Sequence, residues 1–205
     1  LSEFARIKIN YLINNGLQFT VASARSVVSM QKILKGMDLE LPIIEFNGAF
    51  ISDLKTGNHL VINEINPDIK YNILSDIKKY HSYPFISCFN GKRDLLYFVD
   101  IHNEGCKWYV KDRQAAEDNR LHKISSLKKI MKEKIVCFTI IDRKEVLDDL
   151  KAVIKEKYGE KLEIHLMENE YSPGWYWLTL HDSKATKAQS VKKLIDITGH
   201  SLAEL

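Results

Sequence analysis

The chain has 205 residues, 45% hydrophobic and 28% charged, enough apolar material for one domain with a substantial core or for two modest ones. A formal net charge of +3, with 30 basic residues dispersed among 27 acidic ones, leaves no electrostatic footprint for nucleic acid or anionic lipid, and both are excluded as partners. No apolar run approaches the roughly 20 residues that span a bilayer, and the first residues are polar and charged rather than a signal sequence, so a cytoplasmic location is expected.

Phe4, Ile7 and Tyr11, with Ile9, Leu12 and Ile13 less regularly, recur at helical spacing and predict a helix that stops at Gly16. The short run Leu17-Gln18-Phe19-Thr20-Val21-Ala22 then predicts a buried strand, residues 27–36 a second helix, and residues 41–46 a second strand after a turn marked by Pro42. Residues 51–62 predict a β-hairpin turning around Lys55 to Asn58. An amphipathic helix follows from Pro67 to about His81, then strands at 84–89, 95–101 and 107–110 without helices between them. A strand at 134–141, a helix at 144–158 ending at Gly159, and strands at 161–167 and 175–180 across Ser172-Pro173-Gly174 complete this part; a last helix runs over 187–198.

The grammar predicts two domains. Residues 1–64 and 183–205 alternate helices with short apolar strands, which implies an α/β domain with a parallel sheet and flanking helices. Residues 65–182 read as an inserted α+β domain.

Cys88, Cys106 and Cys137 show no C-x-x-C spacing and read as reduced thiols without a zinc or redox role. The basic stretch 123–134 reads as a solvated helix end or loop, with a calmodulin-like or membrane role as the other reading. Asp100, His102 and Glu104 alternate as on a strand, either a polar solvent face or a metal or substrate patch. His165 and His181 have no paired ligands at recognisable spacing. Trp175, Tyr176 and Trp177 mark either core packing or a platform on which a sugar stacks.

Three segments carry a phosphate chemistry when taken together. Val21-Ala22-Ser23-Ala24-Arg25 ends the first strand with a hydroxyl that hydrogen-bonds a phosphoryl oxygen or simply closes a turn. Phe46-Asn47-Gly48-Ala49 ends the second strand, where Gly48 permits close backbone approach and Asn47 offers donor and acceptor. Far downstream, Ser183-Lys184-Ala185-Thr186-Lys187 opens a helix with a lysine.

In this order the three segments resemble the Cof-type phosphatases of the haloacid-dehalogenase superfamily, whose strands end in T-G-R and F-N-G-A and whose later helix opens with S-K-G. The resemblance spans nearly the whole chain and implies a Rossmann-like core carrying an inserted α/β cap. It places Ser23 at the family's phosphate-binding hydroxyl, with Ala24 for the usual Gly, Arg25 at its Arg, and Lys187, in competition with Lys184, at its lysine. Ser23 and Lys187 would act in catalysis, while Arg25, Asn47 and Gly48 would bind and orient substrate, Arg25 being equally open to a structural ion pair.

The family's D-x-D-G-T and G-D-x-x-N-D motifs do not occur here, so truncation at both ends is expected, with the nucleophilic aspartate and the Mg²⁺ ligands outside this chain. The function implied is Mg²⁺-dependent hydrolysis of phosphate monoesters of small metabolites through an aspartyl-phosphate. The alternative is a non-catalytic protein of the same fold that binds phosphorylated metabolites or regulates through them. The oligomeric state is left open.

Overall fold

In the computed structural model, which describes residues 1–200, helix α1 (Glu3–Asn14) starts where the Ser2 hydroxyl accepts the Ala5 N–H at 3.2 Å. Its buried side chain is Ile13, and Phe4, Ile7 and Tyr11, the residues whose spacing predicts the helix, are 71%, 59% and 64% exposed. The period is right and the buried side is not: Ile13 and Ile9 pack with Val27, Met30 and Leu34 of the following segment, which turns the aromatic stripe outward.

Helix α2 (Val27–Ile33) is capped by Ser26. Strands β1 (Ile43–Glu45), β2 (Phe50–Ser52) and β3 (His59–Ile62) form an antiparallel sheet in that order, with Ile44 opposite Ile51 and Phe50 opposite Ile62. The predicted strand at 17–22 contributes only a parallel bridge, Ala22 to Ile44; Ile44 N–H donates to Val21 O, and Ser23 N–H to Ile44 O, each at 2.9 Å. Leu17 and Gln18 are exposed, and only the end of the run finds a partner. A strand needs its neighbour's hydrogen bonds, whatever its own propensity.

The chain divides into two compact units, Leu1–Asn63 with the segment from Lys184 onward, and Glu64–Ser183. In the first, helix α6 (Lys187–Thr198) is capped by Thr186 at its start and by left-handed Gly199 at its end, and its Leu194 packs on Ile44 and Ile51.

The second unit is a six-stranded sheet made of β4 (Phe85–Phe89), β5 (Asp94–Phe98), β6 (Leu121–Lys123), β7 (Lys134–Asp142), β8 (Leu162–Glu168) and β9 (Tyr176–Asp182). Its order is β6-β5-β4-β7-β9-β8, antiparallel except where β6 joins β5. Helices α3 (Pro67–Lys79) and α5 (Lys144–Tyr158) cover one face, where Ile73, Ile77, Leu147, Leu150 and Ile154 meet Ile86, Phe138, Leu178 and Leu180 in the largest core. Each such side chain, fully buried, stabilises by about 1.5–3 kcal/mol. Asp76 ties the two helices together, accepting from Lys157 at 3.0 Å and from the Tyr158 hydroxyl at 2.8 Å.

Helix α4 (Glu104–Ala115) covers part of the other face through Cys106, Tyr109 and Val110, against Phe85, Leu96, Phe98 and Ile141. This corrects two expectations. Residues 107–110 are helical, and Asp100, His102 and Glu104 lie in a loop and at the start of α4 rather than alternating along a strand. The cause is Asn103, whose side chain accepts the Cys106 N–H at 2.8 Å and starts a helix that the aromatic, β-branched Trp108-Tyr109-Val110 conceals. Helix α5 ends at Gly159 as expected, but at φ −54, without the left-handed geometry. All three cysteines are buried and free. Among the described residues no helix is long and apolar enough to cross a membrane.

Candidate active site

The sequence-predicted residues of the first unit meet at one loop. Phe46, Asn47 and Gly48 follow β1 with φ of 49, 59 and 109, three consecutive residues in the left-handed half of backbone space. Asn accepts this conformation and Gly is indifferent to it, but Phe is not, and such strain persists only where the surroundings impose it.

Here they do so from three sides. Phe46 N–H donates to Arg25 O at 3.1 Å and Asn47 N–H to Ser23 O at 3.0 Å, which lock the loop to the segment after the Ala22 bridge. Gly48 O accepts from Asn63 Nδ2 at 2.8 Å and from Ser190 Oγ, on α6, at 3.1 Å. A Cβ on Gly48 would lie 2.6 Å from Thr186 O, so only glycine lets the loop close on the turn that precedes Lys187.

The structure therefore brings Ser23, Arg25, Asn47 and Gly48 together and sets the start of α6 against Gly48. Ser23 Oγ accepts the Arg25 N–H at 3.1 Å and keeps its own proton to donate. Lys187, the first residue of α6, is exposed. Lys184 lies in the preceding turn and lines a cleft of about 500 Å³ with Val61, Asn63, Ser190, Lys192 and Lys193; neither Ser23 nor Lys187 lines it. The hydrogen bonds that converge on the loop, rather than that cleft, define the candidate site.

Behind the loop lies a polar network that sequence reasoning missed. Glu45 is fully buried; its carboxylate accepts from Val27 N–H at the start of α2 and from the Ser52 hydroxyl at 2.5 Å. Ser52 Oγ also shares a hydrogen bond with His59 Nδ1, 2.7 Å away. The His59 ring stacks on Phe50 at 4.0 Å. Serine, histidine and glutamate so sealed form a brace for the strand that ends in the strained loop, not a nucleophile. A glutamate inside the apolar run Ile43-Ile44-Glu45-Phe46 was the available signal.

The second unit's candidates do not converge on a site of this kind. His181 is buried with Nδ1 3.1 Å from Val136 O, and burial, aided by His165, lowers its pKa to about 4. His165 sits 3.5 Å from Glu163. His102 lies 3.8 Å from Asp142, while Trp175 packs between Gly105 and the Arg143 guanidinium, 3.9 Å over its ring. Among the described residues no group of three or more His, Cys, Asp or Glu side chains is placed to hold a metal ion. They do not supply a Mg²⁺ site.

The chain matches the haloacid dehalogenase-like hydrolases over residues 1–205 and belongs to that family. A haloacid dehalogenase-like hydrolase from Bacteroides thetaiotaomicron superposes with a TM-score of 0.74 at 15% identity, covering 99% of this chain and 72% of that one. A structure from Thermotoga maritima gives a TM-score of 0.74 at 20% identity, over 97% of this chain and 69% of that one. BT1666 from B. thetaiotaomicron, described among phosphatases of the superfamily, gives 0.71 at 9% identity, over 100% and 68%. At these identities the likeness is one of fold, and it agrees with the mixed α/β architecture. No curated protein matches.

Proposed function

We propose that the first unit binds the phosphoryl group of a small phosphorylated metabolite, and that the native gene product hydrolyses phosphate monoesters. The observation that supports this reading is the strained 46–48 loop, joined on one side to Ser23 and Arg25 and on the other to the turn before Lys187. In it the Ser23 hydroxyl and the Lys187 ammonium donate to phosphoryl oxygens, while Asn47 and Arg25 orient the rest of the substrate. Lys187 is preferred to Lys184 because it opens α6 directly after Thr186, whose carbonyl faces Gly48. The segment Glu64–Ser183 is read as the inserted cap that closes over substrate.

Attack on phosphorus by an aspartate, giving an aspartyl-phosphate that water hydrolyses, belongs to the same proposal, with that aspartate outside these 205 residues. A Mg²⁺ requirement is proposed on the same footing, with its ligands beyond the described residues, and no step is assigned to the ion.

Two measurements test the reading. The native gene product is expected to release phosphate from a panel of sugar phosphates and related monoesters when Mg²⁺ is present. Lys187→Ala and Ser23→Ala are expected to weaken binding of orthophosphate, the first by roughly tenfold or more, the worth of a charge-assisted hydrogen bond. Full affinity in Lys187→Ala removes the site, and phosphate binding without any turnover by the native product replaces the hydrolase with a phosphate-binding protein of the same fold.

A further inference from the structure

The sheet of the second unit ends on two unlike edges. At one, β6 is three residues long and closes on the exposed Lys123, the short and charged form by which sheets discourage further pairing. At the other, β8 runs for seven residues, Leu162–Glu168, and pairs with β9 row by row without a bulge. Those seven residues include no proline and no lysine, so nothing of the usual kind blunts this edge. Among the described residues β9 is the sole strand partner of β8.

The ladder to β9 fixes which backbone groups β8 turns outward. Lys161 O accepts from Ser183 N–H at 3.0 Å, and Asn169 N–H donates to Trp175 O at 2.9 Å, so the odd-numbered rows between them carry the hydrogen bonds to β9. The amides and carbonyls of Leu162, Ile164 and Leu166 therefore point away from β9, along the open edge. Their side chains turn to the core under α3 and α5, which contains Leu162 and against which Ile164 and Leu166 pack. Glu163, His165 and Met167 alternate onto the other face. There His165 Nε2 lies 3.5 Å from Glu163 Oε1, and Met167 is 47% exposed.

Outward from Ile164 the strand is self-complementary: a leucine at 162 and at 166, an acid at 163 and an imidazole at 165. We propose that β8 docks on β8 of a second copy of this chain, antiparallel about a two-fold axis at Ile164, so that two six-stranded sheets become one. In that register Ile164 lies opposite its own counterpart and Leu162 opposite Leu166, each pair exchanging both hydrogen bonds. Glu163 stands across from the other copy's His165 in the two rows where side chains come nearest, and a ring N–H donates to the carboxylate whether the imidazole is neutral or charged. Shifting the pairing by two residues sets Glu163 against Glu163 or His165 against His165, and a one-residue slip sets the leucines against the polar face, so charge and pattern select one register. A seven-residue strand spans about 24 Å, which puts this contact at the small end of specific interfaces and its affinity in the micromolar range. The surface takes nothing from the phosphoryl-binding reading, because Ser23 and Lys187 belong to the other unit.

Sedimentation equilibrium of the 205-residue chain, from about 1 to about 500 µM, is expected to show a reversible monomer–dimer equilibrium. Glu163→Lys leaves the core untouched, puts a lysine across from the imidazole in both symmetric rows, and is expected to weaken the dimer roughly tenfold. Glu163→His combined with His165→Glu restores the opposition and is expected to return affinity to within about threefold of the parent. Ile164→Pro removes an outward amide without breaking the ladder to β9 and is expected to abolish the dimer, with circular dichroism reporting its fold; should it unfold, Glu163→Lys decides. Mild oxidation reads the register. Ile164→Cys should cross-link to itself, at about 5.5 Å between Cα atoms, whereas His165→Cys, at about 8 Å, should not. The chain's own cysteines are buried and do not compete. The proposal is overturned by a monomer across the whole range, by a dimer that neither Glu163→Lys nor a folded Ile164→Pro weakens, or by a cross-link at His165→Cys in place of Ile164→Cys. None of these results touches phosphate binding by the first unit.

Discussion

Replacing Gly48 with alanine tests the junction on which the candidate site is built. The added Cβ would stand 2.5 Å from Ser190 Oγ and 2.6 Å from Thr186 O, and real Cβ contacts do not fall below 3.0 Å. Ser190 can rotate away, at the loss of its hydrogen bond to Gly48 O, but Thr186 O is backbone fixed by the cap of α6. A non-glycine residue at φ 109 adds strain of about 1–3 kcal/mol, and overpacking typically adds about 1–3 kcal/mol. The sum is roughly 4 kcal/mol, which for a chain of this size lowers Tm by about 8–16 °C. Thermal denaturation followed by far-ultraviolet circular dichroism measures it, with Ser190→Ala as a control expected to cost about 1 kcal/mol. In the double variant Gly48→Ala/Ser190→Ala the carbonyl clash remains, so little stability returns. A Tm for Gly48→Ala within about 2 °C of the parent, or full rescue by Ser190→Ala, would refute the reasoning.

The second unit offers two pH signatures. Burial pushes the Asp76 carboxyl up, and hydrogen bonds from Lys79, Lys157 and Tyr158 more than reverse this, leaving it at about 2 against an ordinary 3.8. A depressed carboxyl stabilises the fold above its unfolded value and ceases to do so as pH falls through the folded one. Asp76→Asn should therefore lose roughly 2 kcal/mol at neutral pH, and its deficit in urea unfolding should shrink between about pH 4 and about pH 2; a deficit constant across that window contradicts the assignment. His181 is also depressed, from 6.5 to about 4, chiefly by burial, and must stay neutral in the folded state. Its contribution is intact above about pH 6.5 and disappears as pH falls to about 4, so His181→Gln should flatten the parent's stability loss in that range; equal slopes for the two proteins count against it.

Where local chemistry and tertiary context agreed, the fold was legible in the sequence. Helix α6 and the β2–β3 hairpin follow from their own caps, turn and periodicity. Helix α4 did not, because Trp108, Tyr109 and Val110 read as strand while the deciding group was a single asparagine cap at Asn103. Phe4, Ile7 and Tyr11 announced a helix but not which side would be buried, since that depends on what Val27 and Met30 bring to it. At the candidate site, Ser23, Asn47, Gly48 and Lys187 stand out as residue types. Asn63 and Ser190, which hold Gly48 O, are ordinary polar residues that only three-dimensional placement distinguishes. The Glu45–Ser52–His59 brace left one sign, a charge amid aliphatics.

The carbonyl of Gly48 receives one bond from Asn63, the last residue before the second unit, and another from Ser190, just after the chain comes back. One oxygen thus fastens both the exit and the return of the polypeptide to the same peptide plane. Whatever is spliced between those two points, the first unit can retain its anchorage, because neither bond draws on a side chain from the insert. Such a socket lets the intervening segment diverge in length and surface at small cost to the loop at residues 46–48.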